Sequence, residues 1–232
     1  MSGRTGIRRS RLTPGQLVTA AGAGGTALLG VSFSADTGSP QFYLLTAALA
    51  STWTAGAAAS GPIPAGRAGR ERGLRPYVEP VVTGVGTFGL FYAIARLARH
   101  NPPLNRAISS VFRYVHEGST GLVLLTAGVN AVAEELYFRG AVWDILGGSR
   151  PLVLTSAVYT ASTAASRNLS LVLGGAVTSL IFGAQRARSG GVVAPAVAHV
   201  TWSVLMVTCL APLFRPSPGE SPGYRQADDD PG

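Results

Sequence analysis

Long apolar runs punctuated almost only by arginine constrain this chain more than any other feature. They extend from Leu17 to Phe33, Phe42 to Ser60, Val78 to Ala95, Thr120 to Leu146, Pro151 to Ala165, Leu169 to Ala184 and Val192 to Phe214. A membrane-crossing helix needs about 20 apolar residues. The fifth and sixth runs are short for that and read as tilted, broken or re-entrant. The pattern predicts an all-α protein, a polytopic transmembrane helix bundle of about seven membrane segments. Composition agrees, because only 13% of residues are charged, against about 25% in soluble domains. The mean hydropathy is +0.29.

All 19 basic residues are Arg and the net charge is +8. The arginines fall at the termini and between the apolar runs, as in membrane proteins. A nucleic-acid reader gathers them on one soluble face, so no nucleic-acid partner is expected. The single Cys209 permits neither an intrachain disulfide nor a multi-Cys zinc site. Its apolar setting reads as that of a small buried hydrophobe.

Residues 1–13 form a basic segment with Arg4, Arg8, Arg9 and Arg11; 14–214 read as one transmembrane domain; 215–232 read as a disordered polar tail. The first run is either a transmembrane helix or a signal peptide with Ser32 and Ser34 before a cleavage point at Ala35. Both place the N-terminus in the cytoplasm of a multi-pass cell-membrane protein. The loop from Pro62 to Pro76, with Arg67, Arg70, Arg72 and Arg75, reads as cytoplasmic; Ser34 to Pro40 has no basic residue and reads as external. The third connection departs from simple alternation, since it carries Arg96, Arg99, Arg106 and Arg113. After Asn101-Pro102-Pro103, residues Leu104, Ile108, Val111, Phe112 and Val115 share one helical face. That predicts an amphipathic helix on the membrane surface.

Charges inside the fourth run point to chemistry. Glu134, Glu135 and Arg139 stand in an otherwise apolar stretch, where each costs roughly 2.5–3.5 kcal/mol on insertion scales. Glu135 and Arg139 are four residues apart and share a face, so they form the structural pair. Glu134 points away from Arg139, on the face of Asn130. It is left without a counter-ion and is the candidate general base. His199 is the histidine inside an apolar run, with Ser203 one turn on. Glu134, Glu135 and His199 are too few and too scattered to support a metal site, and no GxSxG nucleophile elbow occurs. Asp144 caps its helix or faces water. A bilayer and a membrane-associated protein or peptide are the expected partners.

The sequence EExxxR on one apolar segment and HxxxS on a later one resembles the CPBP family, the CaaX-protease and bacteriocin-processing (Abi) membrane endopeptidases. The resemblance covers roughly residues 120–213. The first family motif stands here as Glu134, Glu135 and Arg139. The second, FxxxH, matches best at Tyr159 to Thr163, with Thr163 in place of His. The third, HxxxN, stands as His199 to Ser203, with Ser in place of Asn. The resemblance implies an intramembrane endopeptidase. Glu134 would activate the attacking water, Glu135 and Arg139 would hold the site together, and His199 would stabilise the oxyanion or assist proton transfer. Asn130, Tyr159, Thr163 and Ser203 would support them. It also implies a divalent metal, which the ligand count here does not support. The two altered motif positions favour an alternative, a catalytically degenerate membrane scaffold that binds a partner. A small transporter using Glu134 and His199 is a third reading, weakened by the lack of paired halves.

Overall fold

Hydroxyl caps and prolines set where the first helices begin. Thr13 and Gln16 form a reciprocal capping box at the start of α1 (Pro14–Ser32), and Ser39 caps α2 (Pro40–Ala59) through the Phe42 amide. Each such cap satisfies a helix-start N–H that has no partner within the helix. The protein is described from a computed structural model covering residues 12–71 and 73–214. All but the last two residues of the basic N-terminal segment, and the whole C-terminal tail, lie outside that range. A short helix α3 (Gly66–Arg70) precedes α4 (Arg75–Ala98) and α5 (Pro102–Glu117). Then come α6 (Thr120–Leu146), α7 (Pro151–Thr163), α8 (Leu169–Ser189) and α9 (Val193–Phe214). Among the described residues the chain is all-helical, with no strand.

The seven apolar runs are all helices. Four of them, α4, α6, α8 and α9, are long and apolar enough to cross a membrane. Helix α7 has 13 residues, about 20 Å at 1.5 Å per residue, short of the roughly 30 Å hydrocarbon core. Helices α1 and α2 pack as a hairpin against α6. The Tyr137 hydroxyl donates to the Val18 carbonyl at 2.7 Å, and Trp53 stacks on the same ring. The first apolar run is thus seated in the bundle. Small residues allow this approach: a Cβ on Gly22 would strike the Tyr137 hydroxyl, and one on Gly25 would strike the Trp53 indole.

Helix α5 is amphipathic as its periodicity predicts, but its apolar face is spent on the protein. Phe112 stacks on Phe214 at the end of α9, with ring centroids 5.6 Å apart. The Asn168 amide, at the start of α8, donates to the Ala107 carbonyl at 3.0 Å. At its other end the Thr37 hydroxyl donates to Glu117. That bond, aided by Arg113 and opposed by partial burial, holds the Glu117 carboxyl below the usual carboxylate range. The expectation for Cys209 is corrected: it is exposed. In lipid an apolar face is stable on the outside, so hydrophobic neighbours do not imply burial.

The loop after α2 is pinned at the far end of the bundle, where Val192 and Val193 amides donate to the Pro64 and Ala65 carbonyls at 2.9 and 3.3 Å. A Cβ at Gly191 would overlap the main chain of Ala65 and Gly66. These atoms cannot swing aside as a side chain can. Gly191→Ala is therefore expected to lower stability by about 1–3 kcal/mol, the usual cost of overpacking, read by denaturant unfolding in detergent. An unchanged unfolding curve would show that the loop is not held there.

Candidate functional site

The α-helical winding of α6 stops at Glu134. Residues Glu135–Val142 are wound as a π-helix, and α-helix resumes at Trp143–Leu146. π-turns within α-helices are frequent at functional sites. Arg186 of α8 braces this stretch: its Nε donates to the Arg139 carbonyl at 2.7 Å, and its Nη2 lies 3.5 Å from Asp144. Glu134 is the fifteenth residue of α6, about 21 Å along the axis from its start. The site is thus deep in the bundle.

The two glutamates have different surroundings. Glu135 is fully buried, and its Oε1 lies 3.2 Å from Arg139 Nη1 and 2.9 Å from His199 Nδ1. One carboxylate oxygen thus serves a cation on its own helix and an imidazole on α9. The pair with Arg139 is close but is not a bidentate fork. Among the described residues the buried guanidinium nitrogens have no acceptor in hydrogen-bond geometry. Arg139 instead rests with Cζ 4.8 Å from the centre of the Tyr159 ring. Glu134 makes no ion pair among the described residues; its Oε2 accepts from the Tyr159 hydroxyl at 2.5 Å. Because Glu135 holds His199 Nδ1, the remaining ring nitrogen is Nε2, and the carboxylate fixes the ring's orientation.

Glu134, Tyr159 and His199 line one cavity of about 350 Å³. It runs from mid-bundle toward the α5 end. Ser162, Thr163, Ser166, Ser170 and Thr178 line its α7–α8 side, while Ile94, Ala98, Ile108, Phe112 and Leu210 line it on α4, α5 and α9 as an apolar wall. The cavity is thus mostly apolar, with Glu134 and His199 in its lining. The apolar face of α5 contributes to this, since Leu104, Ile108, Val111 and Phe112 line it.

The other sequence-predicted positions are less central. Asn130 turns back on its own helix, its amide donating to the Thr126 carbonyl at 2.9 Å. Thr163 lines the cavity but spends its hydroxyl hydrogen on the Thr160 carbonyl at 2.8 Å. Ser203 is buried one turn from His199, away from the cavity lining. Asp144 is half-exposed and faces Arg186. Sequence reasoning missed Trp202, which packs on His199 with centroids 5.6 Å apart and lines the cavity. Its position three residues from His199 was the available signal. Apart from Thr163, the serines and threonines that line the cavity gave no sequence signal, because such residues are scattered through every run.

The residues present do not fit a divalent metal. No group of three or more His, Cys, Asp and Glu side chains is placed to hold one among the described residues. Glu135 Oε1 is taken by His199 and Arg139; His199 Nε2, Glu135 Oε2 and Glu134 Oε1 remain, but they do not converge as a ligand group.

Membrane-length helices around a buried carboxylate–arginine–histidine cluster define a polytopic membrane protein. Residues 116–205 match the family model described as type II CAAX prenyl endopeptidase Rce1-like. The match runs from the end of α5 to residue 205 within α9, includes Glu134, Glu135, Arg139 and His199, and bears out the CPBP resemblance over that segment. No curated protein and no solved structure matches the chain.

Proposed function

We propose that this protein is an intramembrane endopeptidase of the CAAX-protease type, a multi-pass protein of the cell membrane with its N-terminus in the cytoplasm. One observation carries the reading. Glu134 makes no ion pair among the described residues and lines a cavity that it shares with His199. The Rce1-like match over the same residues supports it. Glu134 takes a proton from a water molecule while the water oxygen bonds to a peptide carbonyl carbon, moving the carbonyl electrons onto oxygen. His199, oriented by Glu135, stabilises that oxygen. Collapse of the intermediate breaks the C–N bond, and the departing amine takes the proton from Glu134. Glu135 and Arg139 hold α6 and α9 in register for this. The apolar wall suits a membrane-associated peptide whose apolar or lipid-modified part lies along α4, α5 and α9.

The test is a comparison of new protein N-termini in membranes from cells that carry or lack the chain. Termini that depend on the chain support proteolysis and identify a substrate. None under good expression would overturn it. A partner-binding scaffold is favoured by one specific observation: Thr163 has committed its hydroxyl hydrogen and Ser203 stands outside the cavity lining. In that reading, partners co-purify unchanged whether or not Glu134 is ionisable.

A further inference from the structure

Glu134 accepts a hydrogen bond from a residue outside its own helix. Glu134 is joined to α6 only through its own backbone and makes no ion pair among the described residues. A free carboxylate on a helix samples several rotamers. What fixes it is a residue on a different helix: the Tyr159 hydroxyl donates to Oε2 at 2.5 Å. Tyr159 is itself held on two sides. Its ring meets Phe138 edge-on at 4.8 Å between centroids, and the Arg139 guanidinium lies over its face at 4.8 Å. A cation over an aromatic face is attracted to the ring, which ties the phenol to the Glu135–Arg139 pair. The contacts therefore run without a break from Glu134 to Tyr159, to Arg139, to Glu135 and to His199. Such a network places the two groups of the proposed reaction relative to each other although they stand on different helices.

We propose that Tyr159 is the positioning residue for Glu134, holding Oε2 through its hydroxyl so that Oε1 is the oxygen presented to water, and that this ties the base to the Arg139–Glu135–His199 cluster. The inference rests on the protease reading. It predicts an effect confined to the chemical step. Tyr159→Phe keeps the ring, its edge contact with Phe138 and its place beneath Arg139, and removes only the hydroxyl.

The experiment uses the full chain in liposomes and an internally quenched peptide carrying an S-farnesylated cysteine as the probe. Tyr159→Phe is expected to lower kcat by roughly 10- to 100-fold, the size of one hydrogen bond to a charged group, with KM unchanged. The infrared carboxylate stretch of Glu134, identified as the band lost in Glu134→Gln, is expected to shift in the Phe variant. Replacing Tyr159 by 3-fluorotyrosine retains the hydroxyl and is expected to keep kcat near wild type. A Phe variant with wild-type kcat, a change in KM alone, or a fluorotyrosine loss equal to that of Phe would each overturn the assignment. A wild-type protein that leaves the probe intact and yields no chain-dependent N-termini in membranes removes the reaction, and with it this role. Wild-type cleavage with an unaffected Phe variant removes the role and leaves the reaction standing.

Discussion

Glutamine in place of Glu134 is expected to lower cleavage by about 10²–10⁴-fold, the contribution of a positioned general base, while the protein stays folded. The side chain is nearly isosteric, and its amide oxygen can still accept from the Tyr159 hydroxyl that now reaches Oε2. Packing and the link to α7 are thus preserved, and what is lost is the capacity to take a proton from water. The measurement is the appearance of new N-termini in membranes expressing the variant, set against wild type at equal abundance. Termini that persist at wild-type level would remove Glu134 from the mechanism. Loss of the protein from the membrane would place the residue in folding instead. The distinction matters because the substituted positions Thr163 and Ser203 offer little to compensate a missing base.

Local pattern made part of this site readable and tertiary placement hid the rest. The spacing of Glu135 and Arg139 is helical, so their pairing follows from the chain alone, and the 3.2 Å approach realises it. The same count sets the two glutamates apart, but it puts Glu134 away from Arg139, whereas in the π-wound stretch Arg139 lies over the Tyr159 ring whose hydroxyl Glu134 accepts from. The partner of Glu134 could not be read that way, because Tyr159 is 25 residues distant and reaches it only once α7 is folded back on α6. Nor does anything in Glu-Leu-Tyr-Phe-Arg-Gly-Ala-Val mark a π-wound stretch; its residues suit ordinary α-helix, and the wider winding is a property of the packed bundle. Helix α5 shows the limit of amphipathicity as a signal. The apolar stripe at Leu104, Ile108 and Phe112 was legible, yet an apolar stripe meets lipid or protein with equal ease. Here it forms a wall of the cavity. The same ambiguity misled the reading of Cys209.

Removing the arginine is expected to cost more in stability than any other single change in the site. Arg139 and Glu135 are both almost wholly buried, at 1% and 0% side-chain exposure. Breaking such a pair from one side leaves an uncompensated charge and typically costs about 3–5 kcal/mol. Arg139→Ala also removes the cation over the Tyr159 ring and leaves a cavity beside the Arg186 brace. The expected result is a loss of about that size in the free energy of unfolding, read by denaturant titration of detergent-solubilised protein. Glu135→Gln combined with Arg139→Ala should recover a substantial part of it, because removing both charges leaves no buried ion to compensate, whereas a purely steric role for Arg139 predicts no recovery. His199 sets the competing outcome. It lies 2.9 Å from the same oxygen of Glu135, and if the imidazole alone balanced that carboxylate, Arg139→Ala would cost less than about 1 kcal/mol. A small loss would therefore transfer the structural role from the ion pair within α6 to the contact between α6 and α9. A large one, reversed by the second substitution, would show that the helix carries its own counter-ion and leaves His199 free for the reaction.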